Sequence, residues 1–118
     1  MRELEDRLRR LSINDPQGLT AVLAPGAADE GLDPRSAALV RLGVLIALDG
    51  PARSFEWAAD AALASGATSE ELVGVLVAVA PLVGSAHVVT AAPRLALALG
   101  YDLDADLERL DRVGTSGR

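Results

Sequence analysis

The stretch Leu72 to Pro93, LVGVLVAVAPLVGSAHVVTAAP, runs for 22 residues without an Asp, Glu, Lys or Arg, in a chain otherwise charged at ordinary intervals. About 20 apolar residues are enough for a helix to cross a bilayer, so a membrane span is the first reading to weigh. The middle of the stretch argues against it. Pro81, Gly84, Ser85 and His87 fall where a span would be deepest. A proline there leaves a carbonyl one turn back without its donor, and an imidazole in lipid is costly. The flanks, Glu70 and Glu71 on one side and Arg94 on the other, carry no aromatic belt. The stretch reads instead as two short helices, Ser69 to about Val83 and Ser85 to about Leu99, meeting at Gly84 and buried in protein. A helix that is apolar on all sides must be covered on all sides, and 118 residues leave little chain to do it. The expectation is a water-borne homo-oligomer, with the hairpin covered by copies of itself and no membrane partner.

Composition narrows the rest. Hydrophobic residues make up 50% of the chain and aromatics only 3%, so the core must be Ala, Leu and Val. Such small side chains let helices approach closely, and no sustained apolar–polar alternation signals strands. The fold class expected is all-α. The net charge of −6 and the absence of any basic cluster exclude a nucleic-acid partner; Arg7, Arg9 and Arg10 are offset by Glu3, Glu5 and Asp6. The chain has no Cys, which removes disulfides, thiolate metal sites and thiol redox chemistry together. The first dozen residues are charged and lack the apolar segment of a secretory signal, so the expected compartment is the cytoplasm.

Helix punctuation is clear along the chain. Leu4, Leu8 and Leu11 give an amphipathic first helix over Arg2–Leu11. Asn14-Asp15-Pro16 and Asp33-Pro34 each place a capping side chain before a proline at the first helical position. The helix from Pro34 to about Leu48 has its main stripe at Leu39, Leu42 and Ile46, widened by Val40 and Val44. Asp49-Gly50-Pro51 form a turn, and a fourth helix runs to Gly66 with Phe55, Ala59 and Ala62 on one face. Gly66 and Gly100 read as left-handed helix stops, and Thr68-Ser69-Glu70-Glu71 as a capping box. Pro93 is expected to kink or divide its helix. A last helix is expected over Ala105–Arg112, then a frayed tail. The organisation expected is N-terminal helices and a loop over 1–31, a helical domain over 32–112 and a flexible tail over 113–118.

The segments LDPRSAALVRLGVLIAL and AALASGATSEELVGVLVAVAPLVG resemble the carboxymuconolactone decarboxylase-like family, whose superfamily also holds the alkylhydroperoxidase D-like proteins. Ala62-Leu63, Gly66-Ala67-Thr68, Glu70-Glu71-Leu72, Ala80-Pro81 and Gly84 carry the likeness most clearly. The resemblance implies an all-helical bundle with a central antiparallel helix pair that forms dimers, trimers or hexamers. It also shows what has been lost. The Cys-x-x-Cys-x-x-x-His motif of the peroxidase branch falls on Pro51, Ser54 and Ala58, and its proton-relaying Glu falls near Ala38, allowing a one-residue shift. The decarboxylase branch's His maps to Ala58 as well. A thiol peroxidase therefore has no reacting atom here.

The remaining candidates for chemistry each have a structural alternative. His87 is the only histidine; as a proton-transfer group it belongs in a pocket, and as a structural residue it is satisfied by a neighbour such as Thr90. A single histidine makes no protein metal site, so no metal is expected. Arg41 lies in an apolar helix. It either pairs with Glu56 or Asp60, or holds the carboxylate of a small organic acid through its planar fork. Glu56 and Asp60 share a helix face, as an acid–base pair or as a solvated surface. Trp57 lines a cavity or anchors an interface. Ser54 reads as a helix cap rather than a nucleophile. Two functions stay open. One is non-redox proton transfer or decarboxylation on a small carboxylated molecule of lactone or aromatic catabolism, by a lyase without cofactor, with His87, Glu56 and Asp60 catalytic and Arg41 and Trp57 binding. The other is a catalytically inactive oligomeric module of the same fold.

Overall fold

The structure is a computed structural model and describes residues 2–24 and 31–101. Six helices and no strand occur among the described residues: α1 (Arg2–Ser12), α2 (Pro16–Leu23), α3 (Pro34–Ala47), α4 (Ala52–Ala64), α5 (Ser69–Val83) and α6 (Ser85–Ala98). The expected last helix and tail lie outside the described residues. No described helix is long and apolar enough to cross a membrane.

The chain divides into two compact units, residues 1–34 and 35–118. In the first, α1 packs against α2. The Asp15 side chain caps α2 by accepting from the Gly18 N–H at 2.9 Å, with Pro16 opening the helix. Neither helix buries a residue within this unit.

The second unit holds the core. Leu42 and Ile46 of α3, Phe55, Ala59 and Ala62 of α4, Leu72 of α5, and Ala91 and Leu95 of α6 form one apolar cluster. Helices α4 and α5 both pack on α6, and α5 and α6 form the bundle's central pair. Helix α3 approaches α5 closely at Gly43, where an added Cβ would lie 3.4 Å from Val79. The capping box at Thr68 is formed as the sequence predicts: Thr68 Oγ1 accepts from Glu71 N and Glu71 Oε1 accepts from Thr68 N, each at 3.1 Å. The second Glu71 oxygen pairs with Arg35, which ties the start of α5 to the start of α3.

Helices α1, α3, α4 and α6 end alike. In each, one residue takes a positive φ and the following N–H reaches a carbonyl five residues back. Those residues are Asn14, Asp49, Gly66 and Gly100. Helices α5 and α6 share Gly84, at φ 87°, as the last cap of one and the first of the other.

Pro93 does not divide α6, which runs unbroken from Ser85 to Ala98, and α5 likewise contains Pro81. Each proline lacks the N–H that would bond the carbonyl four residues back. Those carbonyls belong to Val89 and Val77, which are 71% and 66% exposed. Both residues thus lie on the outer face of their helices, and each helix continues past its proline. The same exposure shows what the single chain leaves open: Val73, Val77, Leu82, Val89 and Leu97 of the central hairpin are all solvent-facing.

Candidate functional site

Two places in the second unit bring chemistry together. The first is a groove of about 410 Å³ over α3 and α4, lined by Ala38, Val40, Arg41, Val44, Leu45, Ala58 and Ala61. The resemblance maps a His onto Ala58 and a proton-relaying Glu to within one residue of Ala38. The fold places Ala38 and Ala58 on one cavity, and both carry only a methyl group. Arg41 is the groove's single charged residue and forms no ion pair among the described residues, so the expected pairing with Glu56 or Asp60 is absent there. Glu56, Trp57 and Asp60 are exposed on α4, away from the buried Phe55–Ala59–Ala62 face, and none of them lines the groove. Ser54 is not the cap of α4; Pro51 occupies that position without a side-chain bond, and the Ser54 N–H donates to the Pro51 carbonyl.

The second place is the turn between α3 and α4. His87 Nδ1 lies 2.9 Å from Asp49 Oδ1, with the two side chains 35% and 49% exposed. Seven residues further along α6, two turns and about 10 Å of rise, Arg94 reaches the same turn. Its Nη1 donates to the Gly50 carbonyl at 2.6 Å and lies 3.5 Å from the Asp49 carbonyl. Thr90 is not the partner of His87; its hydroxyl donates to the Ala86 carbonyl one turn back. His87 and Arg94 lie on the flank of α6 that also carries the buried Ala91 and Leu95, which explains why they reach the rest of the unit.

Asp49 and Arg94 were not legible as site residues. Asp49 reads as a turn former, 38 positions from the histidine, and Arg94 as the flank of an apolar run. The available signal was the helical spacing of His87 and Arg94, which puts both on one face. Among the described residues no group of three or more His, Cys, Asp or Glu is placed to hold a metal.

The family model for the carboxymuconolactone decarboxylase family matches residues 16–97. The chain belongs to the carboxymuconolactone decarboxylase family. No curated protein and no solved structure gives a significant match. Family membership accounts for the all-α bundle and its helix punctuation. It does not by itself supply a reaction, because function resides in side chains at a site rather than in the fold.

Proposed function

We propose that this family member binds a small apolar carboxylate in the α3–α4 groove, with Arg41 taking the carboxylate and the alanine and valine walls taking the apolar body. One observation carries the reading: Ala58, where the family's His maps, and Ala38, within one residue of where its Glu maps, both line the groove, and Arg41 is the only charge on it. The volume falls within the range of small-molecule sites, which pair apolar walls with a few polar anchors. A guanidinium suits a carboxylate because two parallel N–H donors match its two oxygens. The groove holds nothing that takes up or releases a proton near neutrality, so the bound acid is held rather than transformed there.

The reading includes self-association. Val40 and Val44, 57% and 51% exposed, form the wall between this groove and a second apolar one reaching Leu82 on α5. A ridge of that kind on a single chain favours a second copy against it.

Calorimetric titration with small aromatic and aliphatic monocarboxylates tests the binding site. Arg41→Ala is expected to weaken binding at least about tenfold, the equivalent of one charge-assisted hydrogen bond. Equal affinity in wild type and variant, or no binding by either, refutes the groove as a carboxylate site. Sedimentation at low protein concentration tests self-association separately; a stable monomer would sink that part alone.

A further inference from the structure

We infer that Asp49 and His87 form a second, proton-transferring site, separate from the groove, which activates water for the hydrolysis of small carboxylic esters. The inference goes beyond the groove reading, since Asp49, His87 and Arg94 share no residue with the groove lining.

The geometry fixes the tautomer. A carboxylate only accepts hydrogen bonds, so at 2.9 Å the Nδ1 of His87 must carry the proton that Asp49 accepts. The lone pair of a neutral ring is then on Nε2. A ring oriented by a carboxylate behind one nitrogen, with the other nitrogen basic, is the arrangement that lets histidine act as a general base. Here the ring is 35% exposed, open enough for water to reach it. Arg94 holds the backbone that carries Asp49, which makes it a positioning residue.

A conformational observation stands beside the geometry. Asp49 takes φ 54°, a region that L-residues enter at a cost, while a glycine stands next to it in the sequence. Among the described residues of this unit, every other residue with positive φ is a glycine: Gly66, Gly84 and Gly100. The one position that keeps a side chain is the one whose side chain meets the histidine.

The step balances without a cofactor. Water forms a bond from its oxygen to the ester carbonyl carbon while one of its protons passes to His87 Nε2. The tetrahedral adduct then collapses, the bond to the alcohol oxygen breaks, and that oxygen leaves with the proton from Nε2. The products are a carboxylic acid and an alcohol, and nothing is oxidised or reduced. His87 is the catalytic residue; Asp49 acts through it.

The full chain is assayed with p-nitrophenyl acetate at mildly alkaline pH against an equal concentration of free imidazole, alongside 15N spectra of the histidine ring. Because the sequence holds one histidine, the ring signals need no assignment. The wild type is expected to exceed imidazole at least about a hundredfold, the low end of what a positioned base contributes, and to show a protonated Nδ1. His87→Gln is expected to fall to the buffer rate. Asp49→Asn, which suits the positive φ and so keeps the turn, is expected to lower kcat about tenfold with KM unchanged and to lose the single-tautomer signature. A wild-type rate no better than imidazole, a rate that survives His87→Gln, an unchanged kcat in Asp49→Asn, or a lone pair on Nδ1 overturns the inference.

Discussion

The C-terminal ends of α3 and α4 are built on one plan and finished differently. At α3 the Gly50 N–H reaches the Leu45 carbonyl at 2.9 Å around Asp49; at α4 the Ala67 N–H reaches the Ala62 carbonyl at 3.0 Å around Gly66. Gly66 sits at φ 98° with open space where a Cβ would be, so the residue there serves the backbone and nothing else. Asp49 sits at φ 54° and spends its side chain on His87. Its neighbour Gly50 is buried, and a Cβ there would come 2.8 Å from the end of the Leu45 side chain, which would have to shift. Two turns with the same hydrogen bonds thus divide into one that only stops a helix and one that stops a helix while presenting a carboxylate. Conformational strain held at a position with a defined contact is a pointer to function rather than to folding alone.

The largest effect should fall on both ends together. Phe55 is fully buried in the cluster shared by α3, α4, α5 and α6, so Phe55→Ala is expected to cost about 3–5 kcal/mol in urea denaturation. It should speed amide exchange at Gly50 and Ala67 alike. Exchange that changes at only one of them would mean that the two ends do not share a core.

Gly66→Ala strikes one end. With no neighbour to clash with the new methyl group, the cost is that of the backbone conformation alone, about 1–2 kcal/mol. The substitution should leave the histidine ring spectrum untouched. Arg94→Ala strikes the other end. It removes the donor to the Gly50 carbonyl, for about 1 kcal/mol, and should raise exchange at Gly50 while Ala67 stays protected. If Arg94→Ala instead weakens Ala67, the α3 turn is not held locally and the comparison fails.

How much of this was legible in the sequence follows the range of the forces involved. Gly66, Gly100 and the Thr68–Glu71 box are short-range signals, set by residues within one turn of each other, and the structure forms each as the sequence predicts. Of the stripe read from helical spacing, Leu42, Ile46, Phe55, Ala59 and Ala62 are buried, while Val40 and Val44, expected to widen it on α3, are exposed. The two prolines were harder, because whether a helix continues past a proline depends on its surroundings, which only the packing decides. The site was hardest. Sequence reasoning singled out His87 but offered it Thr90, a neighbour, as a partner, where the fold supplies Asp49 from another element. It chose Arg41, whose charge interrupts an apolar helix, over Arg94, whose charge ends an apolar run. Nothing local distinguishes an arginine that lines a groove from one that clasps a turn.

The smallest change in stability carries the most information about that turn. Asp49→Gly relieves the positive φ, a gain of about 1 kcal/mol. It gives up a half-exposed hydrogen bond worth about 0.5–1.5 kcal/mol, and it loosens the unfolded chain by about 0.4–1 kcal/mol. These terms nearly cancel, leaving an expected net loss of about 0.5 kcal/mol, close to the error of a denaturation curve. If Asp49 were there only to stop α3, the hydrogen-bond term would drop out and the balance would move to a gain of at most about 0.6 kcal/mol, with the ring spectrum unchanged. If its purpose is His87, stability should barely move while the ring's 15N spectrum loses its single tautomer. An unchanged ring spectrum, with stability level or slightly raised, would make the two helix ends equivalent after all and leave Asp49 without a task.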